Sequence, residues 1–160
     1  MTFIGVSQGV QPLISYYVGK REQEKYKKLL RYSIITGISF SVICTTSCYI
    51  FASGIVSLFL DDMSTALASY SVRVFRIFIL SFLLAGFNII IGGYFAAVEK
   101  AGPATAISLT RGIIALVGAL FILTSLVGGE GIWWAPLAAE VICLVMTLAL
   151  FLNYYKKTFS

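Results

Sequence analysis

Residues 32–60, with the sequence YSIITGISFSVICTTSCYIFASGIVSLFL, contain no charged side chain. The stretch is longer than the roughly 20 apolar residues that an α-helix needs to cross the hydrocarbon core of a bilayer. It is also much longer than the about 9–11 residues of a membrane β-strand, and it lacks the apolar–polar alternation of a barrel strand. The stretch therefore predicts a transmembrane α-helix.

Three further stretches are also long and mostly apolar, although they contain Arg73 and Arg76, Arg111, and Glu140 in turn. They predict transmembrane helices at 72–98, 104–127 and 132–155, separated by short turns at 99–103 and 128–131. Residues 1–19 are also uncharged but rich in Gly, Ser and Gln, and we interpret them as the end of another span. The predicted fold is an all-α, polytopic transmembrane helix bundle. It has about four full spans plus the end of a fifth, in a single transmembrane domain over 1–160.

The composition agrees with a membrane environment. The chain is 59% hydrophobic and only 12% charged, whereas about 25% of the residues of a soluble domain are charged. So few charges cannot cover a surface that faces water, and the lipid bilayer is therefore the predicted partner for most of the molecule.

Half of the 12 lysines and arginines lie between Lys20 and Arg31. A basic cluster can indicate nucleic-acid binding, but between apolar spans it is the usual mark of a cytoplasmic loop. We therefore predict a basic cytoplasmic loop at 20–31 and no nucleic-acid partner. The alternative for this segment is an amphipathic helix that lies on anionic lipid.

The remaining charges give the orientation. Lys100 lies in the turn after the 72–98 span, Lys156 and Lys157 follow the last span, and the turns at 61–71 and 128–131 contain no Lys or Arg. The positive-inside rule then predicts a multi-pass protein of the plasma membrane with a cytoplasmic C-terminus and with Asp61 and Asp62 outside.

Glu140 and Arg111 are charged residues within predicted spans. An intramembrane carboxylate is costly and usually faces a cavity or a partner. We interpret Glu140 either as a proton or cation site or as a structural acid that holds two helices together. Arg111 can extend its long side chain to the cytoplasmic interface. Alternatively it pairs with Glu140, because the two helices are antiparallel neighbours and the two residues lie at similar depth.

Gln8, Gln11 and Asn88 are uncharged polar residues in apolar surroundings. Gln8 and Gln11 are three residues apart and share a helix face, and Asn88, near the middle of its span, needs a partner from another helix or from water. Pro12 cannot donate to the carbonyl of Gln8 and is expected to kink its helix. Together with Glu140, these three polar residues are candidates for a substrate or cation pathway; a packing interface is the alternative.

The sequence offers no signal for an enzyme. There is no histidine, no nucleophile triad and no phosphate-binding loop, and Cys44, Cys48 and Cys143 are interpreted as small apolar packing residues. We therefore predict no catalysis, no metal site and no cofactor.

Four segments resemble one family of transporters. Residues 5–20 (GVSQGVQPLISYYVGK), 93–100 (GYFAAVEK), 108–111 (SLTR) and 131–140 (GIWWAPLAAE) are similar, in order and in spacing, to segments of the multidrug and toxic compound extrusion (MATE) transporters. The resemblance covers the whole chain.

The resemblance implies a function that the residues alone do not. Transporters of this family have twelve helices in two lobes of six and export amphipathic cationic compounds in exchange for H⁺ or Na⁺. This chain is expected to correspond to the end of the eighth helix and helices nine to twelve, that is, to most of the C-terminal lobe. Its partners would be a missing N-terminal lobe and the small-molecule substrates.

One feature departs from the family pattern, and two alternatives stay open. Some members carry an acidic residue for cation coupling in the tenth helix, but the matching span at 72–98 contains no acid. No coupling residue is therefore carried over. Related flippases export lipid-linked sugars, and a small membrane protein that acts by helix association without transport would show a similar composition.

The predicted topology can be tested by thiol labelling. In a variant without Cys44, Cys48 and Cys143, we expect an impermeant thiol reagent to label Asp62→Cys in intact cells and to label Glu24→Cys only after the cells are opened. Labelling of Glu24→Cys but not Asp62→Cys in intact cells would contradict the orientation.

Overall fold

The computed structural model describes residues 2–60, 62 and 64–159. Its α-helices are α1 (Thr2–Gly19), α2 (Gln23–Ile50), α3 (Ala52–Ser57), α4 (Ala66–Ala97), α5 (Ala101–Leu109), α6 (Ala115–Val127) and α7 (Gly131–Phe159). A π-helical turn at Thr110–Ile114 joins α5 to α6 in one continuous rod, and a 3₁₀ turn at Gly128–Glu130 joins α6 to α7. The described residues contain no strand, and the all-α prediction is confirmed.

Three stretches are long and apolar enough to cross a membrane: Gln23–Ile50, Ala66–Ala97 and Ala101–Lys156. The last contains two helices that run in opposite directions, because the chain reverses at Gly128, whose φ is +71°. In this hairpin Cys143 of α7 approaches the carbonyl of Ile107 in α5, whereas Gly131 lies against Leu123 near the opposite end. The rod and α7 are therefore antiparallel neighbours.

The basic segment is a correction to the sequence prediction. Only Lys20–Glu22 form a turn, closed by Arg21 in a left-handed conformation with φ of 58°, and α2 begins at Gln23 rather than near residue 32. Two glutamates each lie three residues before a lysine and form ion pairs, Glu22 with Lys25 and Glu24 with Lys27. Pairs at this spacing stabilise a helix, so a high density of charge did not exclude helix here.

The predicted span at 32–60 also ends differently. Helix α2 stops at Ile50, Phe51 leaves the helical region, and the short α3 follows. Asp61 lies outside the described residues. The carboxylate of Asp62 accepts hydrogen bonds from the N–H and the hydroxyl of Ser64, which lowers its pKa.

Helix α4 starts at Ala66, earlier than the predicted residue 72, because Thr65 caps it. The Thr65 hydroxyl oxygen accepts the Ala68 N–H at 3.2 Å, which satisfies one of the free donors of the first turn. The added turns extend α4 beyond the uncharged run. They place Tyr70 beside Trp133 of α7, whose indole N–H donates to the Tyr70 hydroxyl at 2.6 Å.

Helix α4 is the centre of the bundle and packs against α1, α2, α5 and α7. It runs parallel to α1, since the hydroxyls of Ser7 and Ser15 donate to the carbonyls of Ile89 and Ala97. It runs antiparallel to α2, where Gly37 meets Ile90. At the end of the bundle predicted to be cytoplasmic, α4 and α7 share a cluster of aromatic rings: Tyr94, Phe95, Phe151 and Tyr154.

Glycines allow the closest approaches between helices. A Cβ on Gly93 would collide with Ser7 and lie 2.8 Å from the amide nitrogen of Gln11, so the absence of a side chain lets α1 lie directly on α4. A Cβ on Gly131 would collide with the main chain of Leu123. Small residues of this kind are how membrane helices gain van der Waals contact without a hydrophobic driving force between them.

We expect Gly131→Ala to lower the thermal stability of the protein in detergent, because the added methyl group meets main-chain atoms that cannot rotate away. The cost should be about 1–3 kcal/mol. Gly118→Ala is the matched control, since nothing lies within 4 Å of a Cβ at Gly118. Equal melting temperatures for the two variants would contradict the close packing of α6 on α7.

Candidate functional site

Glu140 forms the centre of a buried polar cluster. Its side chain in α7 is almost fully enclosed, with the residue 8% exposed. The Arg111 Nε–H donates to Oε1 at 2.8 Å, and the Asn88 amide donates to Oε2 at 2.8 Å. The same amide also donates to the main-chain carbonyl of Glu140 at 3.2 Å. The cluster therefore joins α4, the π-turn and α7 through one carboxylate.

The two partners of Glu140 differ in their surroundings. Asn88 is completely buried, and because its amide nitrogen serves two acceptors of Glu140, its Oδ1 points away and has no hydrogen-bond partner in the described part of the chain. The Arg111 side chain is 36% exposed. Arg111 lies in the π-turn, a helix distortion that is common at functional sites.

The cluster decides between the two interpretations of Arg111. Its guanidinium pairs with Glu140 instead of extending alone to the interface, and it lines the interior of the bundle. Pairing and hydrogen bonding offset part of the cost of placing two charges away from water. A structural role for Glu140 therefore has direct geometric support, whereas its role as a proton or cation site stays a prediction.

A polar cavity of about 510 Å³ lies in front of the cluster, between α1, α4 and α5. Its apolar lining includes Ile4, Ile89 and Leu109, and its polar lining consists of Ser7, Gln8, Gln11, Asn88, Thr105, Ser108 and Arg111. Of this polar lining, Ser7 and Asn88 are buried, whereas Gln8, Thr105 and Ser108 are exposed, so the cavity is open on one side of the described chain.

The structure brings three of the four predicted pathway residues to one cavity. Gln8, Gln11 and Asn88 line the cavity, but Glu140 does not. Glu140 lies behind Arg111, at a second cavity of about 280 Å³ between α4, α6 and α7. Arg111 lines both cavities and stands between them.

Helix α1 is held at the cavity by polar contacts. The Gln11 amide donates to the Ser7 hydroxyl at 3.3 Å, and Ser7 donates to the Ile89 carbonyl at 3.4 Å. Helix α1 is continuous through Pro12, which is exposed. The kink expected at Pro12 stays a prediction, as does the pathway role of Gln8, Gln11 and Asn88.

Sequence reasoning missed three residues of the lining, namely Ser7, Thr105 and Ser108. A signal for them was present. Thr105, Ser108 and Arg111 are spaced three residues apart, which places them along one face of the rod. Ser7 lies four residues before Gln11 and one turn away on the same face.

The family model, the curated relatives and a solved structure all relate this chain to the same family of transporters. The family model MatE matches residues 1–121. The multidrug export protein MepA of Staphylococcus haemolyticus is 29% identical over 156 residues, a match that covers 96% of this chain and 33% of that protein. MepA of Staphylococcus aureus strain COL is 26% identical over 149 residues, covering 92% of this chain and 32% of the relative.

A solved structure has the same fold. The inward-facing conformation of a multidrug resistance MATE family transporter of the MOP superfamily superposes with a TM-score of 0.84, at 16% identity. The match covers 99% of this chain and 37% of that one. The chain spans about a third of the length of the curated relatives and of the solved transporter that it matches.

The buried ion pair should show coupling in a double-mutant cycle. We expect Glu140→Gln and Arg111→Met each to destabilise the protein, because each leaves a charge without its partner. The cost of about 3–5 kcal/mol for a buried pair should be reduced by the partial exposure of Arg111. The double variant should recover much of the loss, measured as melting temperature in detergent.

Arg73→Gln provides the matched control, because Arg73 pairs with Glu130 at 3.4 Å but is 63% exposed. An exposed pair is worth about 0–1 kcal/mol, so this variant should remain close to the parent protein. Additive losses in the Glu140→Gln, Arg111→Met double variant would show that the two residues do not interact.

Proposed function

Because the chain belongs to the MatE family, which the family model establishes over residues 1–121, we propose that it forms part of a multidrug efflux transporter. The observation that carries the proposal is the open, partly polar cavity between α1, α4 and α5, in a bundle that exposes many large apolar side chains. Ligand sites of this type are concave, largely apolar and lined by a few polar groups that fix the orientation of the ligand.

The proposed transporter contains more than this chain. Since the relatives are about three times as long, further helices are proposed to face the cavity and to complete the substrate pathway. In transporters built from repeats, one half moves against the other around a site near the middle of the membrane. The chain by itself is then proposed to bind substrate but not to transport it.

The substrates are proposed to be amphipathic compounds of the kind that multidrug exporters remove from cells, exchanged for H⁺ or Na⁺. Gln8, Gln11 and Asn88 supply uncharged donors and acceptors, and Ile4, Ile89 and Leu109 supply apolar contacts. Cationic groups are expected among the substrates on the basis of the resemblance. The basic residues at 20–31, at Lys100 and at the C-terminal end of α7 support a plasma-membrane location with a cytoplasmic C-terminus.

The proposal predicts that the purified chain binds an amphipathic rhodamine dye in this cavity. Gly112 borders both this cavity and the second one, and a Cβ there would meet nothing within 4 Å, so we expect Gly112→Phe to narrow the space without a clash at Cβ. We expect it to weaken dye binding about tenfold or more, a loss of roughly 1.4 kcal/mol or more. Fluorescence anisotropy in maltoside micelles measures the affinity.

Gly118→Phe is the matched control, because Gly118 lies in the same rod, also has open space around it, and lies outside the lining of the cavity. A folded parent chain that binds no dye, or equal loss in both variants, would contradict the assignment of the cavity. Saturable, gradient-driven dye uptake by liposomes that contain only this chain would contradict its role as part of a larger transporter.

A further inference from the structure

One face of α2 points away from the bundle and changes from basic to apolar along its length. The inward side carries the buried residues of the helix, among them Tyr26 and Ser33. With about 3.6 residues per turn, Lys28 lies on the opposite side, followed by Tyr32 and Ile35, and all three are exposed. The order of basic, aromatic and apolar side chains matches the order of headgroup, interface and acyl chain in a bilayer leaflet.

The length of α2 gives the depth of these side chains. The helix has 28 residues, and its uncharged part from Tyr32 to Ile50 is about 28 Å long at roughly 1.5 Å per residue. That length is close to the roughly 30 Å of the hydrocarbon core. For a helix that crosses the bilayer, Lys28 and Arg31 then lie within about 6 Å of the core boundary, at the level of the headgroups. The basic turns continue into the span without a break, so they do not form a separate helix on the membrane surface.

Tyrosine rings hold two of the lysine side chains on this part of the surface. The Nζ atom of Lys28 lies 5.8 Å from the ring centroid of Tyr32. In α1, the Nζ atom of Lys20 lies 4.4 Å from the ring centroid of Tyr16. An aromatic face attracts an ammonium group without neutralising it. Both lysines are therefore positioned and still carry a full charge that an anion can use.

The acidic side chains nearby in the sequence are used by other lysines. Glu22 and Glu24 each form an ion pair with the lysine three residues further along α2. In the part of the chain that the structure describes, Lys28 and Arg31 have no acidic partner. The two cations are three residues apart on one helix, so their side chains are neighbours and can both reach one phosphate group.

We propose that Lys28 and Arg31 bind the headgroup phosphate of an anionic phospholipid, whose acyl chains lie along the apolar part of the same face. A guanidinium binds phosphate through two parallel hydrogen bonds, and an ammonium adds a point charge. Below Tyr32, the exposed side chains of Ile35 and Val42 provide apolar contacts at the depth of the acyl chains.

Two further observations favour a lipid as the occupant. The residues lie at the end of the bundle predicted to be cytoplasmic, and the cytoplasmic leaflet is the one that contains anionic lipid. Lys28 and Arg31 also lie outside the lining of the polar cavity. The lipid site is therefore independent of the proposed substrate site, and either can fail without the other.

The test compares phosphatidylglycerol with phosphatidylcholine of identical acyl chains. A scintillation proximity assay with tritiated lipids measures their affinities for the purified chain in maltoside micelles. Each basic residue near an anionic headgroup is worth about fivefold in affinity, so we expect phosphatidylglycerol to bind about tenfold or more tightly. Equal affinities for the two lipids would overturn the proposal. Displacement of phosphatidylglycerol by an equal concentration of inorganic phosphate would also overturn it, because the site would then recognise free phosphate rather than a lipid.

Variants separate this site from a general effect of net charge. The double variant Lys28→Gln, Arg31→Gln should lose about tenfold in affinity for phosphatidylglycerol and keep its affinity for phosphatidylcholine. The matched control is Arg73→Gln, Lys100→Gln, which removes the same number of charges from two other exposed positions and should keep the preference. The exchange Lys28→Arg, Arg31→Lys retains both charges and should keep most of it. Equal losses in the two glutamine double variants, each with the melting temperature of the parent, would contradict a site on α2.

Discussion

A carboxylate within a bilayer has no water to solvate it, and the position of Glu140 therefore constrains the whole bundle. Its two oxygens are satisfied by groups from two other elements, Asn88 of α4 and Arg111 of the π-turn. This requirement fixes the depth of α7 relative to α4 and the rotation of the rod that carries Arg111. Burying the Glu140 carboxylate without these partners would cost more free energy than any single apolar contact in the bundle contributes.

The remaining packing is consistent with that constraint. Helix α4, which contributes Asn88, is also the helix on which the others converge, and its glycines admit α1 and α2 at short distance. Helix α1 in turn brings Gln8 and Gln11 opposite the rod and so forms one wall of the polar cavity. Arg111 therefore belongs to both features: it pairs with Glu140 in the buried cluster and it lines the open cavity.

Most helices and most candidate site residues could be predicted from the sequence, because a helix in lipid needs a long apolar segment in which polar residues are rare. Apolar runs long enough to cross a bilayer predicted the transmembrane helices. Isolated polar or charged residues within or beside these runs gave the candidate site residues Gln8, Gln11, Asn88, Arg111 and Glu140. The element boundaries could not be predicted as well. The first turns of α2 are highly charged and look like a loop, although pairs such as Glu22 with Lys25 stabilise helix there. The helix breaks at Phe51, which is neither a glycine nor a proline, so the sequence does not predict the break. No residue type specifies the π-turn that contains Arg111.

The bundle depends most on the direct contact between Arg111 and Glu140. Solid-state NMR of the chain in lipid bilayers can measure the dipolar coupling between the Nε nitrogen of Arg111 and the carboxyl carbon of Glu140, each labelled isotopically. A hydrogen bond of 2.8 Å between Nε and Oε1 predicts a measurable through-space coupling between the two labelled atoms. The absence of a measurable coupling in the folded parent protein would contradict the account.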